Sequence, residues 1–111
     1  MSYVITKQPD GDVSLGNWNG ELVSLSDSIS DYATGGYAIT GGETNNANSS
    51  LPINCDLWRI ITAIPVSGQN GYLPVWNPNS QKLQIYQSAN TEVANGVDLS
   101  GLVFYLLLVG Y

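Results

Sequence analysis

Histidine is absent from this 111-residue chain, and cysteine occurs once, as Cys55. The first absence removes the commonest metal ligand and the side chain most used for proton transfer near neutral pH. The second excludes an internal disulfide, so no covalent staple is expected, and Cys55 reads as a small buried apolar residue. Basic residues are scarce as well: Lys7, Arg59 and Lys82 stand against nine acids, for a formal charge of -6. Nucleic acid is bound by several Lys or Arg side chains that neutralise phosphates, and three scattered cations do not make that surface. The same shortage argues against attraction to anionic lipid, and the longest apolar run falls far short of the roughly 20 residues a membrane-spanning helix needs. Residues 1–7 lack a basic region followed by a long apolar stretch, so no secretory signal is expected. These absences predict a soluble protein with no direct nucleic-acid partner, no membrane partner and no cofactor.

A helical period is missing too. Short apolar or alternating runs are separated by Gly, Asn, Pro and Ser clusters, which is the signature of an all-β domain. Residues 3–6 read as a first short strand, and Pro9-Asp10-Gly11-Asp12 as a turn. Residues 21–29 read as a half-buried strand with Val23, Leu25, Asp27 and Ile29 on one face and Leu22 and three serines on the other. Residues 57–66 read as a long strand with Trp58, Ile60, Thr62 and Ile64 on one face, and Pro65 places it at an edge, a bulge or a strand end. Residues 67–71 contain Asn70-Gly71, a hairpin signal. Residues 72–76 and 81–87 then form a second hairpin across Asn77-Pro78-Asn79-Ser80, with Leu83 and Ile85 facing the core. Residues 41–50 are polar and of low complexity, and are expected as a surface loop.

The chain closes on Leu102-Val103-Phe104-Tyr105-Leu106-Leu107-Leu108-Val109, apolar at every position. A strand half exposed to water alternates, so this run predicts a strand covered on both faces. In so short a chain one sheet-on-sheet core covers one side, and a second layer, a lid of loops or another copy of the protein must cover the other. About seven or eight strands at this spacing predict one compact β-sandwich or jelly-roll-like domain over residues 1–111. Its size suffices to bury roughly two-thirds of the surface of the unfolded chain.

Catalytic chemistry finds little footing. Asp10-Gly11-Asp12 pairs two carboxylates, but a calcium loop needs further oxygens at fixed spacing, and an acidic turn is the favoured reading. The serines lack both a Gly-x-Ser-x-Gly context and a histidine base. No catalytic or metal-ligating residue is assigned, and the chain is read as a non-enzyme. Aromatic residues are the other candidates, since they bury large area at low entropy cost. Trp58 and Trp76, on strands, are expected in the core. Trp18 lies in Gly16-Asn17-Trp18-Asn19-Gly20, a turn-rich stretch where an aromatic side chain serves a partner as readily as a core.

Several segments together resemble small virion proteins of tailed bacteriophages, the head decoration or cement proteins. They are Gly35-Gly36-Tyr37-Ala38-Ile39, the aliphatic strand 57–66, Gly71-Tyr72-Leu73-Pro74-Val75-Trp76, Lys82-Leu83-Gln84-Ile85-Tyr86, residues 92–101 and the closing apolar strand up to Gly110. The resemblance spans residues 35–110 and leaves the first 34 unmatched; the loop at 41–50 departs from the shorter connection it leads one to expect. It implies a β-sandwich or jelly-roll, commonly a homotrimer, that is made in a bacterial host cytoplasm and sits on the outer surface of the virion capsid. Its partners would be the major capsid protein and copies of itself. On that reading residues 1–7 form an N-terminal arm, Tyr3, Ile5 and Trp18 contact the capsid, and Phe104, Leu106 and Leu108 on the last strand join copies together. A small tail, baseplate or fibre-tip protein that binds a host glycan is the alternative, and a free carbohydrate-binding module is a third.

Overall fold

The computed structural model describes residues 3–27, 32–47, 53–67, 71–88 and 90–111. Among the described residues, eight strands and one short helix follow in the order β1 (Tyr3–Leu15), β2 (Trp18–Asp27), β3 (Tyr37–Ala38), α1 (Gly42–Ala47), β4 (Ile60–Ser67), β5 (Leu73–Asn77), β6 (Lys82–Ser88), β7 (Thr91–Glu92) and β8 (Val103–Gly110). They form two antiparallel sheets, one ordered β1-β2-β8-β4 and the other β3-β6-β5, with β7 added beside β6. The fold is all-β, as the alternating runs predict.

Val23 and Leu25 of β2 and Phe104, Leu106 and Leu108 of β8 pack from the first sheet against Tyr37, Leu83 and Ile85 of the second. Burial on β2 and β8 alternates residue by residue, so each contributes one face to the core. Tyrosines tie the two layers together. The Tyr37 hydroxyl donates to Asp27 Oδ2 at 2.7 Å, joining β3 to β2, and the Tyr3 hydroxyl donates to the Ala38 carbonyl at 2.6 Å, joining β1 to β3. Tyr32, fully buried, donates to Glu92 Oε2 at 2.6 Å and accepts from the Ile85 amide at 3.0 Å.

Several local expectations hold. The β5–β6 hairpin turns at residues 78–81, with Asn77 opposite Lys82, and Asn77 Oδ1 caps the turn by accepting from the Asn79 amide at 3.0 Å. Leu83 and Ile85 are core residues. Pro65 lies on β4 at the sheet edge, beside a register break between Pro65 and Ser67. Cys55 is buried.

Others are corrected. Residues 3–7 are not a free arm but the first half of β1, paired with β2 from Tyr3 opposite Asp27 to Lys7 opposite Val23. Pro9-Asp10-Gly11-Asp12 does not turn the chain. It forms a bulge within β1, where Asp10 takes a φ of 55° and the register slips between Lys7 and Asp12, so positive φ is spent on a bulge instead of a reversal. The reversal comes at Gly16-Asn17, where Gly16 has a φ of 71° and Leu15 pairs with Trp18, a two-residue hairpin with glycine leading. The segment from 41 holds the six-residue helix α1, fastened to the strand region by the Gly42 amide on the Leu57 carbonyl at 3.1 Å and the Glu43 amide on the Trp58 carbonyl at 2.7 Å. A second break in register, between Ile60 and Thr62, swaps the faces of β4, so Ile60 and Ala63 are buried while Ile64 is 46% exposed. Trp58 precedes the strand and is 48% exposed, contrary to its expected place in the core, whereas Trp76 packs against the core. Residues 1–2 of the expected arm, Ile29 of the second strand, residues 48–50 of the polar loop and residues 68–70 of the first expected hairpin lie outside the described residues.

Candidate interaction face

The outward face of the β1-β2-β8-β4 sheet is assembled by strand register. Gly20 stands opposite Val109, Leu22 opposite Leu107 and Ser24 opposite Tyr105 on the two middle strands. On one flank Val13 stands opposite Gly20 and Leu15 opposite Trp18; on the other Thr62 stands opposite Val109 and Ile64 opposite Leu107. Because side chains alternate, every residue in these rows points away from the core that Val23, Leu25, Phe104, Leu106 and Leu108 fill. The result is a row of Leu22, Leu107 and Ile64 across three strands, bordered by Val13 and Val109.

Gly20 shows how tightly this face is packed. A Cβ added there would stand 3.1 Å from Leu107, 3.2 Å from Leu15 and 3.3 Å from Val13, so the three side chains close over the glycine and make one continuous apolar surface. Tyr105 is 41% exposed and Trp18 38% exposed on the same face. Serines and threonines continue it toward Ser26 and Thr6, and none of the residues placed there by the register is charged.

The charged residues that the register of β1 and β2 places, Lys7, Asp12, Glu21 and Asp27, lie on the opposite face of the strands. Asp12, Glu21 and Asp56 line a recess of about 280 Å³ that also touches Gly20 and Leu57. Lys7 Nζ lies 2.9 Å from Asp12 Oδ1 and 3.3 Å from Asp56 Oδ2 and offsets part of their charge. Glu21 is 3% exposed and accepts from the Asp56 amide at 3.1 Å. Burial pushes its carboxyl pKa above the ordinary value, with the neighbouring Asp56 charge adding to the rise. Among the described residues no group of three or more His, Cys, Asp or Glu side chains is placed to hold a metal ion, and no helix is long and apolar enough to cross a membrane. The Cys55 thiol is pushed up to about 11 by burial, which keeps it in the unreactive protonated form.

The residues singled out from sequence are dispersed. Tyr3 faces inward, its ring centroid 5.0 Å from that of Tyr37, and Ile5 pairs with Leu25 and packs against the core; neither joins the outward face. Trp18 does join it, at the end where β1 turns into β2. Phe104, Leu106 and Leu108, expected to join copies together, are 1%, 0% and 0% exposed. They are the core of the chain itself and are not free to meet another molecule. The odd-numbered partners on the same strand, Val103, Tyr105, Leu107 and Val109, hold the outward positions instead. Sequence reasoning demanded a cover for both sides of this strand but assigned the wrong alternate residues to the outside, because a run apolar throughout carries no signal of which face turns inward. Ile64 was missed because a bulge, invisible in the pattern, reversed its face.

No family model, no curated protein and no solved structure matches this chain.

Proposed function

We propose that this chain is a non-enzymatic component of a tailed-bacteriophage particle, a head decoration protein that binds the outside of the assembled capsid and steadies it by bridging capsid subunits. The observation that carries the reading is the uncharged apolar face of the β1-β2-β8-β4 sheet, presented by a chain of net charge -6. Such a face works by contact with protein, since burying apolar area stabilises a complex without any reactive group. The bacteriophage context comes from the resemblance of residues 35–110. A jelly-roll connectivity and a homotrimer are the finer form of the same reading.

The mechanism follows from linkage. A protein that binds the assembled shell better than its free subunits shifts the equilibrium toward the shell by mass action. Several copies held together multiply modest contacts into high avidity. Counting copies per purified particle by mass spectrometry and microscopy tests this: hundreds of copies on the head are expected, and complete absence from particles overturns it. A handful of copies at the tail would select the alternative, a baseplate or fibre-tip protein. Trp58 favours that alternative as a glycan contact, because its ring is about half exposed while its inner edge is seated on Gly42, with Arg59 and Glu43 3.9 Å apart beside it. A glycan array distinguishes it, and also addresses a free carbohydrate-binding module.

A further inference from the structure

The outward face of the β1-β2-β8-β4 sheet is large for a surface left to water. From Trp18 to Ser26 on β2 it runs about 27 Å at about 3.4 Å per residue, and four strands about 4.8 Å apart make it about 19 Å wide. The projected area of the whole face, hydroxyl residues included, is about 500 Å², within the range of the largest patches that monomers expose, a size at which a patch is usually functional. Two such faces in contact remove about 1,000 Å² from water, which reaches the threshold for a specific interface.

We propose that a second copy of this chain covers the face, with the two outward sheet faces stacked about a two-fold axis. The inference rests on the reading of the chain as an assembling protein; it sets a two-fold pair in place of the homotrimer that the resemblance implies, gives the apolar face to that pair, and leaves capsid contact to surfaces outside it. Charge narrows the occupant: each copy carries -6, so two copies meet with least repulsion through a face on whose paired positions no charged residue stands, while a cationic partner is drawn to the acidic recess around Glu21. Symmetry selects it too. An isologous interface sets the same patch of both copies face to face, and here Leu22, Leu107 and Val109 on the two middle strands, with Val13 and Ile64 on either flank, give each copy the same apolar row to stack. Sheets stacked in this way lie about 10 Å apart with interdigitated side chains, as in the core of a sandwich. The closing strand would then be covered on both sides, its even positions by its own chain and its odd positions by the copy.

Sedimentation velocity on the full chain at tens of micromolar tests the proposal. A mass twice that of the 11.9 kDa chain is expected. Ile64→Lys and Tyr105→Lys, both at positions already well exposed, are expected to keep the wild-type circular dichroism and to sediment as monomers. Leu73→Lys, on β5 of the other sheet and 46% exposed, is expected to remain a dimer. A monomeric wild type, a trimer, or a dimer unchanged in both face variants overturns the proposal; should one variant fail to fold, the other decides. A dimer that never occurs on particles leaves this inference standing and removes the decoration reading, whereas a wild-type monomer found on particles does the reverse.

Discussion

Glu21 is a carboxylate on a strand of the core sheet, and its burial has a measurable consequence. Its folded-state pKa is raised above the ordinary 4.5, chiefly because burial disfavours the charge. A group raised in this way supports the fold fully below its unfolded pKa and loses that support as pH climbs through the folded value, so ionised Glu21 opposes folding at neutral pH. Glutamine keeps an oxygen able to accept from the Asp56 amide without the charge. Glu21→Gln is therefore expected to raise the melting temperature at pH 7 and to leave it unchanged near pH 4, by thermal denaturation across that range. An equal effect at both pH values would show that ionisation is not the cause. Cys55 is the opposite case, a neutral thiol 3.7 Å from the Thr40 carbonyl and buried, as its reading from the sequence as a small apolar core residue expects.

Among the elements, the two-residue strand β3 depends most on a single backbone conformation. Gly36 enters it with a φ of 94°, and a Cβ there would collide with the Leu83 carbonyl of the neighbouring strand β6. Gly36→Ala meets both a left-handed backbone and a fixed main-chain atom. It is expected to cost about 2 kcal/mol or more, read as a lower midpoint in urea denaturation. A loss below about 0.5 kcal/mol would mean that β3 relaxes away from β6 at little cost. The glycine pair was visible in the sequence as punctuation before Tyr37, but the close approach to β6 was not, because a strand pairing across 46 positions of chain leaves no trace in local pattern. The same holds for the bulges. Pro9-Asp10-Gly11-Asp12 has the composition of a turn, and only its pairing with β2 determined that the chain runs straight on.

At the scale of the molecule, the two sheets are joined by apolar packing and by the buried Tyr37–Asp27 hydrogen bond. A bond to a charged acceptor inside a core is worth about 1.5–3 kcal/mol. Tyr37→Phe keeps the ring against Tyr3 and Tyr32 and removes only the donor, so it is expected to lower stability by about 2 kcal/mol with the urea m-value unchanged. A changed m-value would instead point to altered compactness. The arrangement of layers also accounts for the shape of the candidate interface. Lys7, Asp12, Glu21 and Asp27 lie on the inward side of the register and Asp10 sits in the β1 bulge, so the paired outward positions of the same sheet are left to glycine and to aliphatic, aromatic and hydroxyl groups.

Composition and period alone determined that this chain folds as β-strands, that it has no internal disulfide, and that Leu83 and Ile85 face a core, because alternation and turn chemistry are local properties. Which alternate set of that strand turns inward, where β4 changes face, and that Ile64, Leu107 and Val13 meet on one uncharged surface were decided only by the tertiary structure. Register between distant strands is set by the packing of both layers at once, and an apolar run with no polar residue to mark the wet side is equally consistent with either orientation until its neighbours are in place.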